Sequence, residues 1–215
     1  MSRSIRGQPY GVLRRETNIP VPDVYDFSGT RDNELNCPFT LMEYISWIPL
    51  MEAWFDEEVS PAEAEKRRTR ALADLVAAIV QLDRYRFDQV GLAVFGADGR
   101  ISGTDITNRM KPNATNDKIA ESLPLLTPKL YVAWRLHEMD MSPDDPVRGA
   151  VNLLKMLLDW IPNPADNGKG PFVLAQMKIG ANKILVGPDG AIQAILGWEA
   201  AEVIPRAIGN DAYPP

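Results

Sequence analysis

The chain has very little cysteine and histidine and no long apolar run. Its 215 residues include one cysteine, Cys37, and one histidine, His137. A zinc site needs three or four Cys, His or acidic ligands, so a Cys/His zinc centre is excluded. A single cysteine cannot form a disulfide within the chain, which is typical of the reducing cytoplasm. No stretch reaches the roughly 18–20 apolar residues that span a bilayer, and the N-terminus lacks the apolar core of a secretory signal. We therefore expect a cytoplasmic protein with no membrane partner.

Positive charge is also scarce relative to negative charge. Lysine and arginine number 23 and aspartate and glutamate 29, which gives a net charge of −6. This balance argues against non-specific binding of nucleic acid. The hydrophobic content of 45% and the charged content of 24% are ordinary for a globular protein. A chain of this length can form one domain, or a small lobe joined to a larger one.

A hairpin is predicted near the start of the chain. Pro20 and Pro22 favour extended backbone and exclude helix. Residues 23–27 alternate in polarity as a strand does, residues 28–36 form a polar turn, and residues 39–45 form a second strand. A second hairpin is predicted over residues 90–101, with its turn at residues 97–99.

The strongest helix signal follows residue 59. Ser60 and Glu63 form a capping box with Pro61 at the first helical position, and the helix should continue to about Arg84. Its predicted apolar stripe is Leu72, Leu75, Val76, Ile79 and Leu82.

Weaker patterns predict further helices. They predict that a helix ends near Val12 and Leu13, that a short helix lies near 117–122, and that longer helices span 131–139 and 146–160. His137 falls in the third of these, so we interpret it as a packed or surface residue rather than a catalyst.

The segment from Phe172 to Glu199 carries the most information. It reads FVLAQMKIGANKILVGPDGAIQAILGWE. The pattern resembles the aminoglycoside phosphotransferase and choline kinase-like family, in particular its fungal branch. There the segment reads F-V-L-x-H-x-D-x-x-x-x-N-I-L-V, a D-G turn and I-I-D-W-D. The matching scaffold positions are Phe172, Val173, Leu174, Ile184, Leu185, Val186, Asp189, Gly190, Ile195 and Trp198.

The positions that carry chemistry in that family hold other residues here. Gln176 stands where the family has His, Lys178 where it has the catalytic Asp, and Lys183 where it has the metal-binding Asn. Gly197 replaces the second metal-binding Asp, and Glu199 stands where a further Asp is usual. Phosphoryl transfer needs a base and oxygen ligands for Mg²⁺. Lysine offers hydrogen-bond donors and no oxygen ligand. At about 4 Å, the interaction between each added charge and another unit charge is worth on the order of 4 kcal/mol, which is enough to expel a divalent ion. We therefore expect no metal and no Mg-ATP chemistry.

Two further segments carry the same resemblance. Residues 17–22 and 37–45 match the family's T-x-I-P-V-P and C-P-F-x-L-M-E-Y-I patterns, and the tail from Val203 to Pro214 matches V-P-x-x-I-G. In the family the second strand leads into the hinge between the lobes, where backbone groups contact adenine. The resemblance therefore implies a ligand-binding position for Met42, Glu43 and Tyr44, with ATP as the corresponding ligand.

The resemblance implies a definite fold. We expect an α+β, protein-kinase-like fold, mainly the large helical lobe with a remnant of the N-terminal lobe. Residues 1–45 would form the two-stranded remnant and hinge, and residues 46–215 the large lobe. Residues 1–16 contain no lysine, so the small lobe's phosphate-binding lysine has no counterpart there.

Three functions remain open from the sequence. The first is a catalytically inactive, pseudokinase-like protein that binds a small molecule or a partner. The second is a repurposed, metal-independent enzyme in which Lys178, with Gln176, acts on a small molecule and Lys183 and Glu199 help to bind it. The third is a truncated family member without activity. A second copy of the chain, or a partner protein, could cover the surface that the reduced lobe exposes.

Overall fold

Helices and strands alternate irregularly along the chain. The computed structural model describes residues 9–95, 101–105, 127–139, 145–160, 171–176 and 179–208. The helices are α1 (Pro9–Glu16), α2 (Leu50–Trp54), α3 (Pro61–Ile79), α4 (Pro128–Glu138) and α5 (Arg148–Leu158), with 3-10 turns at Val80–Arg84, Ala181–Lys183 and Trp198–Ala200. The strands are β1 (Val24–Ser28), β2 (Phe39–Met42), β3 (Ile48–Pro49), β4 (Arg86–Phe87), β5 (Gly91–Phe95), β6 (Ile101–Asp105), β7 (Phe172–Gln176), β8 (Ile184–Val186), β9 (Ile192–Ile195) and β10 (Ala201–Pro205).

The described strands form three antiparallel sheets. β1 pairs with β2, β8 lies between β3 and β9, and a five-stranded sheet has the order β4-β7-β10-β5-β6. The two predicted hairpins are confirmed as β1–β2 and β5–β6. However, β6 continues to Asp105, beyond the predicted end at residue 101, and the turn at 97–99 lies outside the described residues. The tail strand β10 was not predicted. It enters the sheet between β7 and β5, where all five of its residues are buried.

Helix α3 begins at the predicted cap. The Ser60 hydroxyl accepts a hydrogen bond from the Glu63 amide at 3.3 Å, and Pro61 occupies the first helical position. The 3-10 turn then continues the segment to Arg84. The predicted stripe was partly wrong, because Leu72 and Val76 are 47% and 67% exposed. The buried face instead runs through alanines and two leucines: Ala64, Ala71, Leu75, Ala78 and Leu82.

The turn between β8 and β9 fixes that hairpin against α3. Gly190 has a φ of +81°, and a Cβ atom there would collide with the backbone of Arg67. Glycine therefore permits both the left-handed turn and the close approach. On the other side of the turn, the Ile192 amide donates to a carboxylate oxygen of Asp74 at 3.1 Å.

One hydrophobic cluster joins the sheets, α3 and α1. Its most deeply buried members include Leu13, Leu82, Phe172, Ile195, Trp198 and Val203. The predicted helix end at Val12 and Leu13 is confirmed by α1, in which Tyr10, Val12 and Leu13 are all buried. Residues from the N-terminal hairpin, Val24 and Met42, pack on the same cluster.

The remaining helix predictions were mostly confirmed. α4 and α5 match the helices predicted at 131–139 and 146–160, while the short helix near 117–122 lies outside the described residues. His137 lies in α4, but its side chain lies outside the described part of the chain. Among the described helices, none has the length and apolarity needed to cross a membrane.

Candidate functional site

Strand β7 delivers the first site residue to the centre of the fold. All five of its residues are buried, because β4 and β10 flank it on both sides. Gln176 ends the strand and is 7% exposed. Its side-chain amide donates a short hydrogen bond to the backbone carbonyl of Gly197. A glutamine at this position therefore ties two segments of the site together rather than offering a base.

Gly197 lies at the meeting point of the site. Its φ of +86° and ψ of +18° are left-handed, a conformation that glycine adopts freely and that Asn and Asp adopt occasionally. A Cβ atom at this position would lie 2.8 Å from Lys183 Nζ and 2.9 Å from Gln176 Nε2. The lysine ammonium thus occupies the space into which a side chain at residue 197 would project.

Lys183 is held in place through its backbone. Its amide donates to the Gly180 carbonyl at 2.8 Å, and its carbonyl accepts from the Leu196 amide at 2.8 Å. The side chain is half-buried. Within the part of the chain that the structure describes, its ammonium makes no hydrogen bond or ion pair. A half-buried cation without a partner is well suited to receive an anion.

Tyr10 of α1 completes the site from the opposite side. Its phenol oxygen accepts hydrogen bonds from the amides of Gly197, at 3.0 Å, and Trp198, at 3.2 Å. The phenol donates to a Glu199 carboxylate oxygen at 3.0 Å. Burial, followed by the nearby Glu199 charge, raises the pKa of Tyr10 to about 12. Tyr10 therefore stays protonated and fixes the carboxylate of Glu199, whose side chain is otherwise exposed.

The predicted hinge residues lie at the end of the β1–β2 hairpin. Met42 ends β2 and pairs with Val24. The Glu43 amide donates to the Asp23 carbonyl at 2.7 Å, and the Glu43 carboxylate accepts from the Asp23 amide at 3.3 Å. Tyr44 is 88% exposed. The Glu43 amide is therefore already used by the hairpin and offers no free donor to an adenine ring.

The structure brings four predicted positions together. Gln176, Lys183, Gly197 and Glu199 all lie around the turn that follows β9. Lys178 lies outside the described residues. Sequence reasoning missed Tyr10, whose hydrogen-bond partner Glu199 is 189 residues away along the chain. The local signal was that Tyr10 precedes the apolar residue Leu13 by three residues, a helical spacing.

The donor set of this site does not suit Mg²⁺. The magnesium ion requires hard oxygen ligands in octahedral geometry, whereas this site presents an ammonium, a side-chain amide and a glycine. Across the described ranges, no group of three His, Cys, Asp or Glu side chains could hold a metal ion. Glu199 is the site's carboxylate in the described structure, and it is bonded to Tyr10.

The chain has an α+β fold of the protein-kinase-like kind, made of the small N-terminal hairpin, the antiparallel sheets and the helices around this centre. Solved structures match this fold. The predicted fold class is therefore confirmed. No protein-family model and no curated protein matches the chain.

Two of the matching structures are of an aminoglycoside phosphotransferase. A thermostable mutant of APH(4)-Ia, in a ternary complex with ADP and hygromycin B, matches with a TM-score of 0.52 and 15% identity. The apo form of a thermostable mutant of the same protein matches with a TM-score of 0.51 and 15% identity. In both cases the match covers 94% of this chain and 58% of the other. The chain thus spans less than two thirds of the length of these structures, and at this identity the likeness shows the fold.

Proposed function

We propose that this chain is a fungal-type aminoglycoside phosphotransferase-like protein with degenerate catalytic motifs, and that it binds a small anion instead of transferring phosphate from Mg-ATP. The observation that carries the proposal is the position of the Lys183 ammonium beside Gly197. A cation at that point repels Mg²⁺ and attracts phosphate or carboxylate.

The surroundings of Lys183 support an anion rather than a metal. Gln176 donates its amide to the Gly197 carbonyl, so that oxygen is already engaged. The Glu199 carboxylate is engaged by Tyr10. What remains open for a ligand is a half-buried ammonium, and charge-assisted hydrogen bonds from such a group are among the stronger ones in proteins. The ligand class that fits is a small phosphorylated or carboxylated molecule.

The test is a calorimetric titration with ATP in the presence of EDTA, so that no divalent ion takes part. We expect wild-type protein to bind and Lys183→Met to bind about tenfold more weakly or worse, since a hydrogen bond to a charged group is worth about 1.5–3 kcal/mol. Lys155→Met is the matched control, because Lys155 is an exposed lysine on α5. The proposal fails if wild-type protein does not bind, or if both variants lose affinity equally.

We also propose that a second copy of the chain covers α5. Five apolar side chains of this helix and its end are 44–86% exposed: Leu153, Leu154, Met156, Leu157 and Trp160. Such a patch is on the order of 500 Å², near the upper end of what monomers expose. A two-fold pair places the same face on both sides, so the two copies would bury about 1,000 Å² in total, the lower bound for a specific interface.

Light scattering at increasing concentration tests this pairing. We expect the wild-type chain to form dimers. A double variant that carries both Met156→Lys and Trp160→Lys should remain monomeric, with an unchanged Tm. A wild-type chain that stays monomeric at high concentration contradicts the proposal. A different protein seated on α5 would leave the purified chain monomeric as well, and so also counts against a second copy.

We further propose that the protein binds a small molecule in the cytoplasm, without a nucleic-acid or membrane partner. The net charge of −6 supports the first exclusion. The unpaired, exposed Cys37 is compatible with a reducing compartment.

A further inference from the structure

Two similar hydrogen bonds hold α1 and its flanking residues in place. At its N-terminal end, the Tyr10 phenol donates to Glu199 at 3.0 Å. At its C-terminal end, Glu16 accepts a hydrogen bond from the Tyr85 phenol at 3.1 Å. Burial, followed by the charge of the bonded carboxylate, raises the pKa of each tyrosine to about 12. The two bonds are therefore chemically alike, but only the first one lies at the candidate site.

The first bond lies beside two groups of opposite charge. Lys183 and Glu199 both flank Gly197, and in the described structure no ion pair joins them. Glu199 is exposed, so its side chain has the freedom to turn toward an open ammonium. The Tyr10 phenol holds the carboxylate on the α1 side of the turn. An ammonium that is paired with a carboxylate would be a weaker receptor for an incoming anion.

We infer that Tyr10 is a positioning residue for anion binding: it holds Glu199 away from Lys183 and so keeps the ammonium open to a ligand. This inference rests on the proposed anion-binding function of Lys183 and adds the residue that regulates its availability. Tyr10 itself need not touch the ligand.

The test uses ATP without magnesium and three variants. Tyr10→Phe keeps the ring but removes the bond to Glu199 and the two bonds from the amides of Gly197 and Trp198. We expect about two- to fivefold weaker ATP binding, the scale of one partly exposed ion pair. Tyr10→Phe combined with Glu199→Gln should bind as wild type does, because the competing charge is gone. Tyr85→Phe is the matched control and should bind normally. The inference is overturned if the double variant is not rescued, or if Tyr85→Phe weakens binding as much as Tyr10→Phe.

A second measurement needs no ligand and separates this inference from the proposed function. Lys183→Met and Glu199→Gln should shift Tm additively in the wild-type background, since the two groups do not interact there. In the Tyr10→Phe background their shifts should become non-additive, because the freed carboxylate pairs with the ammonium. Additive shifts in both backgrounds overturn the inference, even if ATP binds to Lys183. A failure of wild-type protein to bind ATP overturns the proposed function and leaves this readout intact.

If Tyr10→Phe does not fold, Glu199→Gln alone decides. The phenol already keeps the Glu199 carboxylate away from Lys183, so removing its charge should change the ATP affinity less than about twofold. A gain of tenfold would show that Glu199 competes for Lys183 in the native protein, which contradicts the inference.

Discussion

Two apolar regions of this molecule differ sharply in burial. The apolar side chains of β7, β8 and β9 are all buried, and Trp198 is 0% exposed. Helix α5 is also rich in large apolar residues, yet Trp160 just beyond it is 86% exposed. Within α5 only Val151 and Leu158 are buried, in a small cluster with Leu136 of α4.

The difference shows that burial depends on neighbours rather than on apolar content alone. Strand β7 lies between β4 and β10, and α3 and α1 pack on the segment that follows it. In the described structure α5 packs mainly on α4. An amphipathic pattern indicates that a face needs a partner, but it does not state where the partner comes from.

The largest expected effect comes from the two tryptophans. Trp198→Ala should lower the free energy of unfolding by about 3–5 kcal/mol, because removing a fully buried aromatic ring leaves a cavity. The Ile195 carbonyl also loses the hydrogen bond that it accepts from the indole N–H at 2.9 Å. Trp160→Ala should change it by less than about 0.5 kcal/mol. Denaturant unfolding at a concentration where the protein is monomeric measures both. Equal losses for the two variants would show that Trp160 has a buried role.

The next largest effects on stability come from substitutions at two glycines, and the two effects should have opposite signs. Gly190→Ala should destabilise by at least about 2 kcal/mol, because a left-handed φ is costly for alanine and the added carbon meets the backbone of Arg67. Gly149→Ala lies in α5, where an added Cβ meets nothing within 4 Å. It should stabilise by up to about 1 kcal/mol through helix propensity. Thermal unfolding of both variants checks the signs, and destabilisation by Gly149→Ala would contradict the open surface at α5.

The smallest effect concerns alkaline pH and the tyrosine that packs on the buried segment. The pKa of Tyr10 is about 12 in the folded protein and about 10 when unfolded. The unfolded chain therefore loses this proton first, so the stabilisation is complete below pH 10 and declines from there through pH 12. Unfolding at pH 9 and pH 11 should show a smaller pH-dependent loss in Tyr10→Phe than in wild type. An equal loss in both proteins would mean that Tyr10 titrates normally.

The fold could be predicted well where local chemistry determines it. The Ser60 cap, the β1–β2 turn and the scaffold residues around Asp189 and Gly190 each specify a local geometry, and the structure has them. Contacts between distant segments could not be predicted in the same way. The position of β10 between β7 and β5, and the bond from Tyr10 to Glu199, depend on which surfaces meet in three dimensions.

The stripe on α3 illustrates the same limit. Leu72 and Val76 satisfy a helical period, and so do Ala71 and Ala78, which are the residues that the sheets cover. Periodicity predicts a face but does not fix its centre, because small side chains allow closer packing. At the site, the sequence identified Gln176, Lys183, Gly197 and Glu199 through a resemblance, and the left-handed turn at Gly197 then explains why they meet.

The most direct test of the central claim is the ATP titration repeated with and without magnesium. The Lys183 ammonium beside Gly197 should receive the anion, and the site has no suitable set of oxygen ligands for a metal. We therefore expect ATP to bind in EDTA and to bind no more tightly when Mg²⁺ is added. Binding that requires Mg²⁺, or that tightens strongly with it, would contradict this account and restore a metal-dependent kinase site.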